Sequence, residues 1–363
     1  MLDPKGFFKL QVKHITQETD QAVSLHFAIP EELKSTFSYK AGQYLTLEAE
    51  IDGEPVRRAY SLCTSPYLDA LLAVTIKKVD GGKMSNYINS QVQEGDLLWV
   101  MPPNGKFWVE PSADAQKTYI LFGGGSGITP LMGIAKTVLS QEPKSKVFLV
   151  YANRDTQSVI FKEKWDAMQK EHPNRLKIFY SYDKPPMMWF GLKGYLTEQG
   201  VVDLLKNKVN NTWPTAQFYI CGPSPMMDVV RQGLQKLNIP DTQVHTEYFS
   251  TVKKAPAAPE TTEASNEPSP ISGTAKVWVT VYGNTSSIEV KENQTLLEAA
   301  NEAGLQPPYS CTVGVCTTCR AKVTKGKVEM LEREGLSDAE VEEGYVLTCQ
   351  SIAKSSEIEL IYE

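Results

Sequence analysis

Thr118-Tyr119-Ile120-Leu121-Phe122-Gly123-Gly124-Gly125-Ser126-Gly127-Ile128-Thr129-Pro130 is the stretch on which the fold turns. An apolar run enters it, a glycine-rich bend lies in the middle, and a helical pattern, Leu131–Ser140, leaves it. Glycines let a backbone bend sharply and come close to a pyrophosphate. The N-terminus of the following helix adds N–H donors and the positive end of its dipole. Pro130 suits a first helical turn. A lone glycine run also fits a plain tight turn. With a strand before it and a helix after it, a nucleotide is the better occupant for Gly123, Gly124, Gly125, Ser126, Gly127, Thr129 and Pro130.

Downstream the same rhythm repeats. Apolar runs at Val147–Tyr151, Leu176–Tyr182, Gln217–Cys221 and Val244–Phe249 alternate with helical patterns such as Met226–Leu237. That alternation predicts an α/β domain with a parallel sheet and helices on both faces. Ligands of such sheets lie at the carboxyl ends of the strands. Cys221-Gly222-Pro223, where an apolar strand meets a breaker, is therefore a candidate site, although a strand-end Cys is more often a small buried hydrophobe. After the second strand comes Arg154-Asp155. The Arg fork, with Lys184 assisting, suits a ribose 2′-phosphate, whereas Asp155 suits a free 2′-hydroxyl. The reading taken is NADPH, with NADH as the alternative.

Upstream, Leu10–Thr16, Ala22–Ile29, Gln43–Ile51, Leu71–Val79 and Leu97–Met101 are short β-favouring runs between turn residues, the mark of a small antiparallel barrel. Arg58-Ala59-Tyr60-Ser61 and Gly81-Gly82-Lys83-Met84-Ser85 stand within it. An Arg offers a forked donor to phosphate, a Tyr ring stacks on a flat heterocycle, and a Ser hydroxyl bonds a ring nitrogen. A second Gly–Ser turn donates backbone N–H groups. Singly, these are barrel-surface and hairpin residues; together, ahead of a nucleotide loop, they point to a flavin.

Downstream of the α/β region, residues 251–273 read TVKKAPAAPETTEASNEPSPISG. Without aromatic residues and nearly without large aliphatic ones, this segment cannot offset its ordering entropy and reads as a flexible tether. As a coil it would span roughly 25–30 Å. The remaining 90 or so residues predict a hairpin (Ala275–Tyr282, Ser287–Val290), a helix (Gln294–Ala303) and a closing strand (Glu357–Tyr362). Into this segment crowd Cys311, Cys316, Cys319 and Cys349. The spacing C-x4-C-x2-C with one distant Cys is that of a plant-type 2Fe–2S site. Three ligands come from one loop in which Gly314 lets backbone N–H groups approach the sulfurs. Structural zinc sites usually pair two knuckles, so iron–sulfur is the better reading.

The chain has 363 residues, too many for one ordinary domain. Its net charge of −6 argues against a nucleic-acid partner. Residues 274–363 hold 8 basic and 14 acidic side chains, against 27 and 26 over residues 1–250. The acidic end either steers a basic partner or is only a solvated surface. No run nears the roughly 20 apolar residues of a membrane span, and the N-terminus lacks a signal layout, so a cytoplasmic protein without a membrane partner is expected. The four histidines fall in no motif and are taken as structural.

These motifs, in this order and over nearly the whole chain, resemble the ferredoxin–NADP reductase superfamily fused to a C-terminal plant-type ferredoxin. The likeness is greatest to the reductases of phenylacetyl-CoA epoxygenase systems and related oxygenases. It implies a multidomain protein: an FAD-binding β-barrel (1–112), an NAD(P)H-binding α/β domain (113–250), the linker, and a β-grasp-like α+β ferredoxin domain (274–363). It further implies Arg58, Tyr60 and Ser61 at the flavin, with Gly82, Lys83, Met84 and Ser85 at its phosphates. Cys221, Gly222 and Pro223 would flank the nicotinamide, with Ser61 and Cys221 at the reacting centre, and the segment ending in Phe249 would pack near the flavin. FAD follows from the overall match, with FMN the alternative. Ala152 departs from the Gly common there. The implied partner is an oxygenase component that takes electrons from the ferredoxin domain, specifically a diiron enzyme acting on an aryl-CoA thioester. A free-standing flavin reductase is the alternative that the fused cluster opposes. A non-catalytic zinc or interaction module with a degenerate reductase body is a third, excluded by a brown-yellow colour.

Overall fold

Alternating apolar and polar residues in the first hundred positions build six strands. These are β1 (Phe8–Thr19), β2 (Ala22–Ala28), β3 (Tyr44–Ile51), β4 (Glu54–Ser61), β5 (Leu72–Lys77) and β6 (Leu97–Val100). The computed structural model describes residues 6–249 and 273–362, with the backbone alone at Asn210 and Asn211. The expected linker thus lies outside the described residues, except for Gly273. The strands pair antiparallel in the order β4-β3-β6-β1-β2-β5, and a bridge between Leu62 and Val74 brings the two edges together into a barrel. Leu10, Val12, Leu25, Phe27, Leu45 and Leu47 point inward and form its core. β4 was not among the predicted runs. It exists because Asp52 (φ 55°) and Gly53 (φ 78°) fold it back on β3 as a tight hairpin. The predicted Gly–Ser turn proves to be the start of a helix, α1 (Lys83–Ser90), which buries Met84 and Ile88 against the barrel.

The next layer follows in the same unit, which spans Phe7–Phe249. Its elements are β7 (Thr118–Gly124), α2 (Ile128–Gln141), β8 (Lys146–Asn153), α3 (Lys162–Glu171), β9 (Leu176–Tyr182), β10 (Leu192–Lys193), α4 (Glu198–Lys208), β11 (Gln217–Cys221), α5 (Ser224–Lys236) and β12 (Val244–Glu247). All strand pairs are parallel, in the order β10-β9-β8-β7-β11-β12. The chain leaves β7 to one side and returns to its other side at β11. Strand order therefore reverses at β7, where a crevice opens at the carboxyl ends. β7 is buried along its whole length, as a central parallel strand must be.

Barrel and parallel sheet share one apolar core: Cys63, Ala73, Phe107 and Val109 pack with Tyr119, Ile128, Leu131 and Cys221. Around it, Lys164 of α3 pairs with Glu18 of β1 at 2.6 Å, and Lys136 of α2 with Asp69 at 2.6 Å. Glu18 is nearly enclosed, so losing Lys164 would strand a desolvated carboxylate.

The C-terminal unit contains β13 (Ala275–Val281), β14 (Asn284–Val290), α6 (Leu296–Glu302), β15 (Arg320–Lys325), β16 (Val328–Met330), α7 (Asp338–Glu342), β17 (Tyr345–Leu347), β18 (Ser351–Ala353) and β19 (Glu357–Tyr362). Its main sheet runs β14-β13-β19-β15-β17, with β13 and β19 parallel and the other pairs antiparallel. Burial alternates strictly along β19, so Ile358, Leu360 and Tyr362 face the core that α6 completes with Leu296, Ala299 and Ala300. The architecture is multidomain: an antiparallel six-stranded barrel, a parallel α/β sheet and a mixed α+β sheet.

Candidate functional site

Two loops meet at the carboxyl ends of β7 and β11, where Gly123 stands opposite Cys221 in the register. They pack backbone against backbone. A Cβ on Gly127 would lie 2.2 Å from the Cys221 carbonyl oxygen, and one on Gly124 2.6 Å from Pro223 Cδ. A Cβ on Gly222 would lie 2.8 Å from Met226 Cε. Gly125 turns with φ +52°. Beyond it α2 begins without a side-chain cap; the Ile128 N–H is taken by the Gly125 and Ser126 carbonyls, and the helix start keeps the positive end of its dipole toward an anion. Ser126 stays near the surface, the Thr129 hydroxyl donates to the Ser126 carbonyl at 3.1 Å, and Pro130 is buried in the first turn of α2.

Beside this crevice opens a cavity of about 400 Å³, lined among others by Gly125, Arg154, Asp183, Tyr195, Pro223 and Lys77. Lys77, at the end of β5, was singled out by no motif. Its ammonium comes within 3.7 Å of where a Gly125 Cβ would stand. Burial, then the nearby Arg154 charge, lowers its pKa, which marks a cation without a full counter-charge. Arg154 is exposed and its Nε donates to Asp155 at 3.0 Å. That bond, helped by the Ser158 N–H, holds Asp155 below the usual carboxylate range. Lys184 is exposed, and its backbone N–H bonds the Arg154 carbonyl.

On the barrel side the end of β4 reaches the ends of β11 and β12. The Ser61 hydroxyl donates to Glu247 Oε2 at 2.8 Å, and Glu247 stands opposite Cys221 in the register of β12 and β11. Burial pushes the Glu247 carboxyl up to about 8, so it carries a proton at neutral pH. Cys221 is fully enclosed, and burial, then Glu247, raises its thiol well above the ordinary range. It is therefore a neutral thiol here. Glu247 entered the sequence analysis only as the first residue of the terminal segment Glu247-Tyr248-Phe249 that the resemblance places near the flavin; one glutamate in a strand carries no local signal.

Other flavin candidates lie along the same strand and at α1. Arg58 is exposed, with Nη1 donating to the Arg57 carbonyl at 2.6 Å. Tyr60 is half-buried against the barrel core, and burial raises its hydroxyl pKa. Neighbouring Arg57 is instead structural, buried in an ion pair with Glu48. Gly82 caps α1 without a side chain, and a Cβ there would meet Ser85 Oγ at 2.5 Å. The Lys83 ammonium pairs with Glu54 at 2.9 Å, and Met84 points into the core. Ser85 Oγ accepts from the Val79 N–H at 3.2 Å. The Gly82 N–H is taken by the Val79 carbonyl at 2.9 Å, and the first turn of α1 beyond it leaves N–H groups without intrahelical partners, a set that fits phosphate oxygens. Phe249 is 40% exposed, while adjacent Tyr248 is buried and accepts from Arg231 at 3.3 Å.

In the C-terminal unit the four cysteine side chains are mutual neighbours. Cys311 interacts with Cys316 and Cys349, and Cys349 with Cys319. None is in a disulfide, and all but Cys311 are buried. Thr312 (φ 58°) and Gly314 (φ 79°) wind the loop; a Cβ on Gly314 would stand 2.8 Å from Glu332 Cβ. The turn directs the N–H groups of Val313 and Val315 at Cys311 Sγ, and the adjoining thiols together with these donors lower the Cys311 pKa. The distant Cys349 is drawn back by its neighbour Thr348, whose N–H and hydroxyl both donate to the Cys319 carbonyl, at 3.2 and 3.0 Å. Four uncrosslinked thiols with N–H donors turned toward them fit a 2Fe–2S cluster. All four histidines are held by partners elsewhere: His14 by Glu94, His26 by Thr16, His172 by Arg175 and His245 by Gln217.

Residues 9–108 match the family of the oxidoreductase FAD-binding domain, and 121–232 the oxidoreductase NAD-binding domain. Residues 279–354 match the 2Fe–2S iron–sulfur cluster binding domain. The chain is 34% identical to a component of the 1,2-phenylacetyl-CoA epoxidase of Escherichia coli strain K12, over 97% of its own length and 96% of that protein. It is 35% identical to the ferredoxin reductase component of the 3-ketosteroid-9-alpha-monooxygenase of Rhodococcus rhodochrous, over 94% and 93% of the two. Its fold matches the solved phthalate dioxygenase reductase with a TM-score of 0.57 at 24% identity, covering 98% of both chains. No helix among the described residues is long and apolar enough to cross a membrane.

Proposed function

The chain belongs to the FAD- and NAD(P)-binding reductases that carry a 2Fe–2S ferredoxin domain and serve oxygenases, and we propose on that footing a division of labour among its residues. The Gly123–Gly127 bend and the start of α2 hold the dinucleotide pyrophosphate, with the Lys77 ammonium beside it. Cys221, Gly222 and Pro223 floor the nicotinamide position. Arg58, Tyr60 and Ser61 hold the flavin, and the backbone at Gly82–Ser85 its phosphates. Cys311, Cys316, Cys319 and Cys349 ligate the cluster.

A bound flavin accepts two electrons together and releases them singly, the conversion that a nicotinamide and an iron–sulfur centre cannot make between themselves. The chain's own part is positional. The glycine loops bring backbone to the pyrophosphate without intervening side chains. The apolar Cys221 thiol adds no charge to the reacting face. Glu247 keeps a proton on its carboxyl, ready beside the Ser61 hydroxyl. The single observation that carries this reading is the Ser61–Glu247 bond, which ties the barrel's flavin strand to the strand ends where the dinucleotide would lie.

For the acceptor we favour an oxygenase acting on an aryl-CoA thioester, of the diiron kind, because the likeness to the epoxidase component runs over the whole chain. The equally long likeness to the ketosteroid monooxygenase component supports a second reading, the reductase of another oxygenase. Purified chain, loaded with FAD and cluster, is mixed with NAD(P)H and the oxygenase components of each system in turn. Product from phenylacetyl-CoA supports the first reading; product from the ketosteroid alone replaces it with the second. Failure to reduce either cofactor with NADH or NADPH would remove the reductase role altogether.

A further inference from the structure

A hydroxyl at the end of β19 reaches the cysteine site from a strand to which no part in it has been assigned. β15 leaves the cysteine loop just after Cys319, and two strand ends flank its start. Arg320 stands opposite Leu347 of β17, and Ala321 opposite Tyr362 of β19. The alternation of β19 turns Tyr362 inward with Ile358 and Leu360. There the Tyr362 hydroxyl donates to Thr348 Oγ1 at 2.8 Å, and the Thr348 hydroxyl donates to the Cys319 carbonyl at 3.0 Å. Both side chains are buried.

The number of protons fixes the direction of this chain. Burial raises the Tyr362 pKa, so the phenol keeps its proton. Among the described residues Thr348 is its one hydrogen-bond partner, so that proton goes to Thr348 Oγ1. The Thr348 proton is then left to Cys319. The Cys319 pKa is lowered, first by Cys349 beside it and also by the Thr348 hydroxyl, which therefore faces the sulfur as well as the carbonyl. A hydroxyl that accepts one bond donates a stronger one, and a buried, low-dielectric setting amplifies the effect.

We infer that Tyr362 is a positioning residue for electron transfer: through Thr348 it aims a hydroxyl at Cys319 and holds the reduction potential of a 2Fe–2S cluster higher than it would stand without the phenol. The inference rests on the reading that the four cysteines ligate such a cluster. One-electron reduction adds negative charge that spreads onto the thiolate sulfurs. A donor directed at Cys319 stabilises the reduced state more than the oxidised one, which raises the potential. The phenol donates to Thr348 and not to a sulfur, so its effect passes through that one hydroxyl.

The test uses the full chain loaded with FAD and cluster. Iron and sulfide are assayed, and a redox titration follows cluster and flavin absorbance together, the flavin serving as internal reference. Tyr362→Phe should keep its cluster and lower the equilibrium constant for cluster reduction about threefold, which is about 28 mV at ~59 mV per tenfold for one electron. The flavin potential should not move. Thr348→Val should lower the constant at least as far, and Thr348→Ser, which keeps a hydroxyl, should stay near the wild type. In the Thr348→Val background, Tyr362→Phe should add nothing, because the phenol has lost the group through which it acts. An unchanged or raised cluster potential in Tyr362→Phe overturns the inference, as do additive shifts in the double variant. Outright loss of the cluster from Tyr362→Phe also overturns it, since the phenol would then hold the fold and not the potential. A wild-type chain without equal iron and sulfide removes the cluster reading itself.

Discussion

Glu247 shows how a residue without a sequence signal acquires a chemical role. Its strand neighbours are ordinary, and only the meeting of β4, β11 and β12 encloses its carboxyl. With its pKa raised from 4.5 to about 8 in the folded protein, the native state binds a proton that the unfolded chain has released. Stability should therefore fall as pH rises from about 4.5 to about 8, by up to a few kcal/mol. Glu247→Gln should flatten that slope and gain stability over the wild type at pH 8 relative to pH 5, as urea unfolding at each pH will show; an unaltered slope assigns the proton elsewhere. Lys77 was hidden for a similar reason. One of two adjacent lysines at a strand end becomes distinctive only when the chain folds Gly125 next to it. The cysteines were legible because ligation chemistry fixes their spacing along the chain itself.

At the scale of elements, periodicity found what was long and regular. β9, β11 and β19 stand where their apolar runs lie, and α2 and α5 follow their helical patterns within a few residues. β4 escaped because its sequence, Glu-Pro-Val-Arg-Arg-Ala-Tyr-Ser, scarcely alternates; its strand character comes from β3 across the Asp52-Gly53 turn. α1 escaped because Gly81-Gly82 reads as a turn and only Met84 and Ile88, four apart, mark its buried face. α6 rests on a reciprocal cap. The Glu298 N–H donates to Thr295 Oγ1 at 3.2 Å, and the Thr295 N–H to Glu298 Oε2 at 3.0 Å. Thr295→Ala should cost the C-terminal unit about 1 kcal/mol. Heating while following cluster absorbance should show earlier bleaching, and flavin release should stay at its wild-type temperature. Coupled shifts in both would contradict separate stability of the two units.

The whole molecule separates into units that differ in core and in charge, and this division was the most legible feature of all. A composition shift at residues 251–273 and a cysteine cluster beyond it are visible without any structure. Each unit has its own buried apolar cluster. A chain ending before Thr251 should therefore fold, keep flavin and reduce ferricyanide at close to the full-length rate. Its delivery of electrons to an oxygenase should drop by at least about tenfold. Undiminished delivery by the shortened chain would mean that the iron–sulfur unit is not the exit.

The apolar core shared by barrel and parallel sheet has a practical corollary for anyone who would rebuild this protein. The two halves of the N-terminal unit are not interchangeable cassettes. Cys63 and Phe107 are already moulded to Tyr119 and Leu131, so a graft taken from another reductase would bring mismatched shapes to the seam. Point changes on the surface leave that joinery intact, whereas transplanting one half does not.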